Sequence, residues 1–299
     1  MMFEEFFEGR NRSIAWHYLE KKRRQNLAKY PQMCCYSFEH IAQYINFDGR
    51  YEKDELDYVG RKLERWIAGK VVLDIGANIG NHTVFFAEKA AHVFSFEPHP
   101  RTFQLLKLNS ENFRNVTAYN LGASDCEKQL MAVSPLLNVG ATAIVADSDQ
   151  AGRVSENERK ILFNLVAIDD VAELAGADIG FVKIDVEGHE LQALHGLSRI
   201  LSQQKPVVMF EQHGKEIEGG TSPALDFLRE RGYQYLYEVV KPASWRTPDS
   251  LPGFIRMPLK FLEKLFLGKP DDSMATKPLS TLEQRSYFVL IASAVELQN

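Results

Sequence analysis

Acidic and imidazole side chains stand directly after several short apolar runs of this 299-residue chain. Short runs rich in β-branched and aromatic residues are typical of buried strands. In an open parallel sheet the carboxyl ends of the strands line one crevice, so side chains at those ends are expected to meet there. Carboxylates and imidazoles in one crevice can bind polar ligands and move protons. The residues concerned are Asp74, Glu97, Asp185, Glu187 and His213.

The first of these strands is followed by a glycine-containing turn. Residues 71–75 are apolar except for Asp74, the chain turns through residues 76–80, and a helix is predicted over about residues 81–89. A strand, a turn and a helix in this order bring bare backbone close to a ligand at the open end of a sheet. The turn residues predicted to bind a cofactor are Gly76, Asn78 and Gly80.

Two details of this region indicate a nucleoside ligand without phosphates. A dinucleotide site has glycines in the pattern G-x-G-x-x-G, whereas Asn78 stands at the middle position here. Asp74 would repel a pyrophosphate and would suit an ammonium group. Glu97 ends the next strand, roughly 20 residues later, at the separation from which an acid reaches ribose hydroxyls. An amino acid joined to a nucleoside without phosphates describes S-adenosylmethionine.

Three motifs of the chain resemble those of the FkbM family of S-adenosylmethionine-dependent methyltransferases. They are DIGANIG at residues 74–80, FEP at residues 96–98 and VKIDVEG at residues 182–188, and the resemblance covers about residues 45–215. It implies an α/β fold of the Rossmann-like class I methyltransferase type, with a doubly wound, mostly parallel seven-stranded sheet. It also implies S-adenosyl-L-methionine as the cofactor and O-methylation as the reaction.

The resemblance further implies that the adenine lies beside residues 122–125, where Ser124 or Asp125 would accept a hydrogen bond from the amino group. For Asp125, a role as an ordinary turn residue is an equally good interpretation.

Methyl transfer from a sulfonium is an in-line displacement, for which an enzyme holds the acceptor oxygen and can remove its proton. Asp185 is the preferred base, because it ends a strand expected to face the methyl group. Glu187 is interpreted as its partner or as a ligand of the acceptor, since crowded acids raise one another's pKa. The alternative for Glu187 is a first-turn acid favoured by a helix dipole. Glu187 and His213 are further base candidates. His189 is also considered as a base, but it is interpreted as an ordinary surface or helix histidine.

A magnesium site is an alternative use of the same edge. Asp185, Glu211 and Gln212 offer three oxygen ligands, which suits Mg²⁺. The family resemblance does not require a metal, and no metal ligand is predicted.

Composition limits the classes of partner. The formal net charge is −5 and the sequence pI is near 6.0, which argues against broad nucleic-acid binding. Three cysteines without framework spacing predict reduced thiols and a cytoplasmic location. No signal peptide is visible over residues 1–9, and no run approaches the roughly 18 apolar residues of a membrane span.

The predicted organisation is a helical N-terminal extension over residues 1–66 and a methyltransferase domain over residues 67–299. The domain carries an insertion at about residues 241–281, and hairpin-like strands with a mobile loop are expected over residues 127–165. Within the insertion, residues 257–267 combine an apolar face with lysines. Core packing or substrate covering is favoured for this segment, and weak membrane-surface contact is the alternative.

The sequence therefore predicts a methyltransferase that acts on a hydroxyl of a sugar, a polyketide or a related small molecule or glycan. The list of acceptors rests on the resemblance alone. An NAD-type oxidoreductase is opposed by Asp74 and the missing glycine, and a non-catalytic nucleoside-binding module is opposed by the cluster of acids. An RNA or protein methyltransferase is opposed by the net charge and by the absence of an Asn/Asp-Pro-Pro-aromatic motif after the fourth strand.

Overall fold

The computed structural model describes residues 16–37, 39–135, 143–144, 158–241 and 274–297, together with residues 252, 255 and 258–259. The predicted loop at the centre of residues 127–165 and most of the amphipathic segment at residues 257–267 lie outside this part of the chain. The predicted domain boundary after residue 66 stays a prediction.

The helices and strands are as follows. The helices are α1 (residues 16–27), α2 (His40–Asp48), α3 (Lys53–Lys62), α4 (Glu64–Ile67), α5 (Asn81–Ala87), α6 (Pro100–Ser110), α7 (Glu190–His195), α8 (Ser198–Gln203) and α9 (Pro223–Glu230). The strands are β1 (Val71–Ile75), β2 (His92–Phe96), β3 (Val116–Tyr119), β4 (Gly122–Ala123), β5 (Lys128–Pro135), β6 (Ala143–Ile144), β7 (Glu158–Val166), β8 (Ile179–Ile184), β9 (Val207–Gln212), β10 (Tyr235–Val240), β11 (Ala275–Leu279) and β12 (Tyr287–Ser293).

The central sheet has the strand order β11-β10-β12-β9-β8-β1-β2-β3. Strands β3, β2, β1, β8 and β9 run parallel, and β12 lies antiparallel between β9 and β10. The prediction of a mostly parallel, Rossmann-like class I methyltransferase sheet is confirmed. The structure adds an eighth strand, β11, which pairs with β10 at the edge and comes from the end of the predicted insertion.

The strand order reverses between β1 and β8. From β1 the chain moves outward to β2 and β3, and it later returns to the other side of β1 to form β8. In open α/β sheets ligands bind beyond the carboxyl ends of the strands at such a switch point. The ends of β1 and β8 are therefore the place where a site is expected.

Helices cover both faces of the sheet. Leu73 and Ile75 pack in one apolar cluster with residues of α7, α8 and α9, whereas Val72 packs in a second cluster with residues of α3 and α5. Alternation along the strand puts Asp74 on the same face as Val72, under α5. This register decides the environment of Asp74, as described below.

A small second sheet, in the order β4-β7-β5-β6, stands beside the edge of the central one. Strands β5 and β7 pair antiparallel over their whole length, as the prediction of hairpin-like strands in this region requires. Gly122 of β4 pairs with Leu165 of β7. This pairing carries residues of β7 to the carboxyl end of the central strands.

Two short helices, rather than one long helix, follow β8. Helices α7 and α8 are separated at Gly196, which lies directly against the backbone of Ser124. A Cβ atom on Gly196 would come within 1.9 Å of the Ser124 carbonyl oxygen. Glycine at this position lets the α7 end pack on the residues that follow β4.

Candidate active site

The turn after β1 adopts backbone conformations that side chains disfavour. The φ angles are +76° at Gly76, +50° at Asn78 and +91° at Gly80. A Cβ atom on Gly76 would lie 1.7 Å from the carbonyl oxygen of Asp185. Because both the conformation and the space exclude a side chain, Gly76 brings bare backbone against the end of β8.

A cleft opens beyond this turn. Residues from the ends of β1, β2, β4, β7 and β8 line it: Gly76, Asn78, Glu97, Pro98, His99, Thr102, Gly122, Ala123, Phe163, Leu165, Asp185, Val186, Glu187 and His189. Of the predicted cofactor residues, Gly76, Asn78 and Glu97 meet there, whereas Gly80 lies behind them at the start of α5.

Glu97 is held in a fixed orientation at the cleft. Its carboxylate accepts backbone hydrogen bonds from Asn78 (2.9 Å) and His99 (2.8 Å), and the residue is 7% exposed. Burial raises the pKa of Glu97 to about 7, although the two backbone N–H groups favour its ionised form. A carboxylate fixed in this way can present acceptor oxygens to a pair of hydroxyl groups.

Asp74 does not line the cleft, contrary to the expectation that it faces a ligand. It has no exposed surface, and its Oδ2 accepts a 2.6 Å hydrogen bond from the hydroxyl of Thr83. Its Oδ1 lies 3.5 Å from Nζ of Lys183, the residue paired with it on β8. The alternation of β1 turns Asp74 into the layer under α5, so its carboxylate has no exposed surface with which to contact a ligand.

Lys183 connects the buried acid to the cleft. Its ammonium donates to the carbonyl oxygen of Gly76 (2.8 Å) and lies 3.4 Å from Oδ2 of Asp185. Burial lowers the pKa of Lys183, but the charges of Asp185 and Asp74 outweigh that effect and raise it to about 12. The lysine is therefore charged at neutral pH and shared between the turn and the two acids.

Asp185 stands where β8 ends, with its side chain 42% exposed toward the cleft. Its backbone N–H donates to the carbonyl oxygen of Ile75 (3.0 Å), which holds it beside the turn. This matches the predicted position of a base, although its role stays a prediction.

Glu187 follows in a left-handed conformation, with φ at +51°, and also lines the cleft. Partial desolvation, followed by the charge of Asp185, raises the pKa of Glu187. The acid in the first turn of α7 is Glu190, not Glu187. The helix-dipole alternative for Glu187 is therefore wrong.

Glu211 is an acid of this edge that the sequence analysis names only as a metal ligand. Ile184 pairs with Phe210, so Asp185 and Glu211 occupy the next positions on neighbouring parallel strands. Burial and the charges of Asp185 and Glu187 raise the pKa of Glu211 to about 8. The position of Glu211 at the end of a strand next to that of Asp185 was the feature of the sequence that could have identified it as a site residue.

The other two candidates from β9 and its end are placed less centrally. His213 does not line the cleft, but its charge acts to lower the pKa of Glu187. Gln212 is buried, donates to Glu216 (2.8 Å) and accepts from the hydroxyl of Ser222. The side-chain oxygen of Gln212, which the magnesium alternative needs as a ligand, thus already accepts a hydrogen bond from Ser222. Within the described residues no three His, Cys, Asp or Glu side chains are grouped as metal ligands.

Ser124 and Asp125 also lie outside the cleft lining, contrary to the expectation that one of them contacts the adenine of the cofactor. Ser124 has no exposed surface, and its hydroxyl donates to Oδ1 of Asp125 (2.9 Å). Asp125 pairs in turn with Lys128. The neighbouring Ala123 and His189 reach the cleft instead, and His189 bonds to the Ser124 hydroxyl through Nε2 (2.9 Å).

The sequence analysis missed several residues of the cleft wall. His99 and Thr102 come from the start of α6, and Phe163 and Leu165 come from β7 of the small sheet. Phe163 turns its ring edge to the His99 ring, at 6.2 Å between centroids. His99 and Thr102 could have been identified from the sequence, because His99 lies only two residues after Glu97 at the end of β2. The second pair depends on a long-range strand pairing.

No helix within the described ranges is long and apolar enough to cross a membrane.

Comparison with protein families gives a match over residues 74–235, which is more than half of the chain. The matching family is described as the methyltransferase FkbM domain. The matched region contains the glycine turn, Glu97, Asp185 and the residues of the small sheet.

Two characterised relatives are each 28% identical to this chain. One is the hexuronic acid methyltransferase AglP of Haloferax volcanii, aligned over 174 residues that cover 57% of this chain and 65% of the relative. The other is the 31-O-demethyl-FK506 methyltransferase FkbM of Streptomyces tacrolimicus, aligned over 198 residues, 57% of this chain and 75% of the relative.

Solved structures show only distant likeness. A methyltransferase FkbM from Methylobacillus flagellatus is 18% identical with a TM-score of 0.39, covering 58% of this chain and 40% of the other. A methyltransferase-like protein of Streptococcus mutans in complex with SAH is 14% identical with a TM-score of 0.38, covering 80% of this chain and 96% of the other. Scores this low carry no argument about the chemistry of this chain.

Proposed function

The chain belongs to the FkbM methyltransferase family, and we propose that it transfers the methyl group of S-adenosyl-L-methionine to a hydroxyl group. The observation that carries this proposal is that the glycine turn, Glu97 and Asp185 line one cleft. This combination suits a nucleoside carried on backbone and a carboxylate, with a second carboxylate at the reacting end.

The residues fit S-adenosylmethionine in character. Glu97 has acceptor oxygens for the ribose hydroxyls, and Gly76 and Asn78 offer backbone that a ligand can approach closely. The bound cofactor supplies an electrophilic methyl group. Asp74 acts indirectly in this proposal, because it holds Lys183, which in turn bonds to the Gly76 carbonyl.

Asp185 is the proposed base. It would accept the proton of the acceptor hydroxyl at Oδ1 or Oδ2, and the ammonium of Lys183 lies 3.4 Å from Oδ2. Glu211, with a pKa of about 8, is mainly protonated at neutral pH and can donate a hydrogen bond. Glu187 lines the same cleft and is a proposed ligand of the acceptor, and His213 remains an alternative base candidate beside it.

A sugar, a polyketide or a related small molecule or glycan is the proposed acceptor. The names of the two relatives, one acting on a hexuronic acid and one on 31-O-demethyl-FK506, support acceptors of this kind. Since the chain belongs to a methyltransferase family, the oxidoreductase alternative loses its support. The predicted cytoplasmic location remains a prediction.

The experiment is a transfer assay with cofactor labelled in the methyl group and a panel of sugars and macrolide alcohols. Label in a product that resists mild alkali would indicate a methyl ether and support the proposal. Alkali-labile label would indicate a methyl ester and contradict hydroxyl methylation. A parallel assay with Asp185→Asn separates transfer by this site from contaminating activity.

A further inference from the structure

Two histidines line the β4 and β7 side of the cleft, and neither belongs to the predicted site. His99 is 3% exposed and begins α6, and His189 precedes α7 and is half-buried. In each ring, one nitrogen forms a hydrogen bond with a neighbouring residue. The identity of those neighbours determines which nitrogen of each ring carries the proton.

The Nδ1 atom of His99 must be an acceptor. It receives the backbone N–H of Thr102 at 3.3 Å, as a cap of helix α6, and the Thr102 hydroxyl lies at the same distance. A backbone N–H can only donate, so the proton of the neutral ring is on Nε2. No hydrogen bond joins that Nε2–H to another residue in the described part of the chain, and the ring lines the cleft.

The Nε2 atom of His189 must be a donor. Its partner, the hydroxyl of Ser124, has one proton and directs it to Oδ1 of Asp125 (2.9 Å). The pairing of Asp125 with Lys128, followed by the hydrogen bond from Ser124, lowers the pKa of Asp125 to about 2. Its ionised carboxylate can therefore only accept the hydrogen bond of the Ser124 hydroxyl. His189 Nε2–H therefore donates to Ser124, and Nδ1 of the neutral ring is left with a free lone pair.

The surroundings of both rings favour the neutral form. Burial, followed by the charge of Arg101, lowers the pKa of His99, and burial, followed by the charge of Lys128, lowers the pKa of His189. The two histidines thus share one tautomer, in which the nitrogen that is not bonded to Thr102 or Ser124 is a donor in His99 and an acceptor in His189. His99 offers a donor, and His189 offers an acceptor.

The wall between these two rings is apolar. Ala123, Phe163 and Leu165 lie on the same side of the cleft, and the Phe163 ring packs edge-on against His99. Glu97 hydrogen bonds to the backbone of His99, so the carboxylate proposed for the ribose stands directly beside this wall. A flat heteroaromatic base attached to that ribose would fall against it.

We propose that His99 and His189 select adenine at this wall by its adjacent acceptor and donor groups. The Nε2–H of His99 donates to a ring nitrogen, and Nδ1 of His189 accepts from the exocyclic amino group. Thr102 and Ser124 are positioning residues that fix the tautomers. The inference rests on the proposed function, because it assigns the base of the same cofactor, and it replaces the predicted adenine contacts of Ser124 and Asp125.

Hypoxanthine is the discriminating probe. S-inosylhomocysteine differs from S-adenosylhomocysteine in carrying a carbonyl in place of the amino group and a proton on the neighbouring ring nitrogen N1. Its oxygen would therefore face the lone pair of His189. A buried polar group without a partner weakens binding by about ten-fold or more. Calorimetric titration of the whole protein with each nucleoside gives the ratio of the two dissociation constants.

We expect the wild type to bind the adenine compound at least about ten-fold more tightly, and His189→Leu to show a smaller preference. Ser124→Ala, a nearly isosteric change outside the cleft lining, should reduce the preference because it frees the His189 tautomer. His99→Leu should weaken both nucleosides. The control is His92→Leu, since His92 lies at the opposite end of β2 and bonds to Thr117.

Equal binding of both nucleosides by the wild type, or an unchanged preference in both His189→Leu and Ser124→Ala, would overturn this inference while leaving the proposed cofactor intact. Binding of neither nucleoside to the wild type would overturn the proposed function and the inference together. Nitrogen-15 NMR of labelled histidines tests the tautomers without any substitution. An Nδ1–H tautomer at His99 or His189 would also overturn the inference.

Discussion

The ammonium of Lys183 lies 3.4 Å from the carboxylate of Asp185, at the point where the glycine turn meets the end of β8. The same ammonium bonds to the turn itself and neutralises a fully buried acid behind it. One cation therefore joins the backbone of the glycine turn to the proposed base. The predictions below test the parts of this arrangement.

Lys183→Met should destabilise the protein by about 3–5 kcal/mol, because it leaves Asp74 buried without its counter-ion. Asp74→Asn combined with Lys183→Met should be less destabilised than Lys183→Met alone. Urea unfolding of the two single variants and the double variant at pH 7 measures the coupling. Additive free energies of unfolding would contradict the ion pair's structural role.

Gly76→Ala should destabilise the protein by several kcal/mol more than Gly69→Ala and should abolish nucleoside binding. Both glycines have positive φ, +76° and +71°, so both substitutions carry a strain of about 1–2 kcal/mol. Only at position 76 would the added Cβ strike backbone, whereas position 69 has open space. Equal thermal stability of the two variants would show that the close approach to Asp185 is absent in solution.

Glu97→Gln should weaken S-adenosylhomocysteine binding by about ten-fold or more while the protein stays folded, since a neutral amide accepts less strongly from hydroxyls. The matched control is Glu111→Gln, an exposed position after α6. Calorimetric titration of both variants measures the difference. Unchanged affinity in Glu97→Gln would remove Glu97 from the cofactor site.

Glu97 should also make stability depend on pH. Its pKa is raised to about 7 in the folded protein, so the unfolded chain releases this proton at lower pH than the folded one. The wild type should therefore lose stability, by up to about 3 kcal/mol, as the pH rises from about 4.5 to 7. Glu97→Gln should lack this component in urea unfolding series, and identical pH dependence of the two proteins would contradict the raised pKa.

Asp185→Asn should reduce turnover by about 10²–10⁴-fold and change nucleoside affinity much less, as expected for removal of a general base. Asp178→Asn serves as the control, because Asp178 is exposed and pairs with Lys70 at the other end of β8. Initial rates and calorimetry on the same preparations give the comparison. Near-normal turnover would exclude Asp185 as the base and leave Glu187 or His213 as candidates.

The fold and the centre of the site could be predicted because their signals are local. The glycine turn, Glu97 and Asp185 each follow an apolar run, and the parallel sheet brings such positions together. Asp74 shows the limit of that rule. It lies one residue before the end of β1, and the alternation of the strand turns it under α5 rather than into the cleft.

The side of the cleft lined by His99, His189 and Phe163 could not be predicted in the same way. His189 depends on a hydrogen bond to Ser124, 65 residues away in sequence, and Phe163 arrives through the pairing of β7 with β4 and β5. Neither contact leaves a pattern in the neighbouring residues. Ser124 follows a strand, as ligand-binding residues of such sheets often do. Its side chain is nevertheless buried and bonds to His189, a contact that the local sequence does not indicate.

Calorimetric titration of the purified wild-type protein with S-adenosylhomocysteine, with NAD in a parallel cell, tests the central claim most directly. The account predicts micromolar binding of S-adenosylhomocysteine and no binding of NAD. Binding of NAD without S-adenosylhomocysteine would contradict it, because the glycine turn and Glu97 would then serve a dinucleotide.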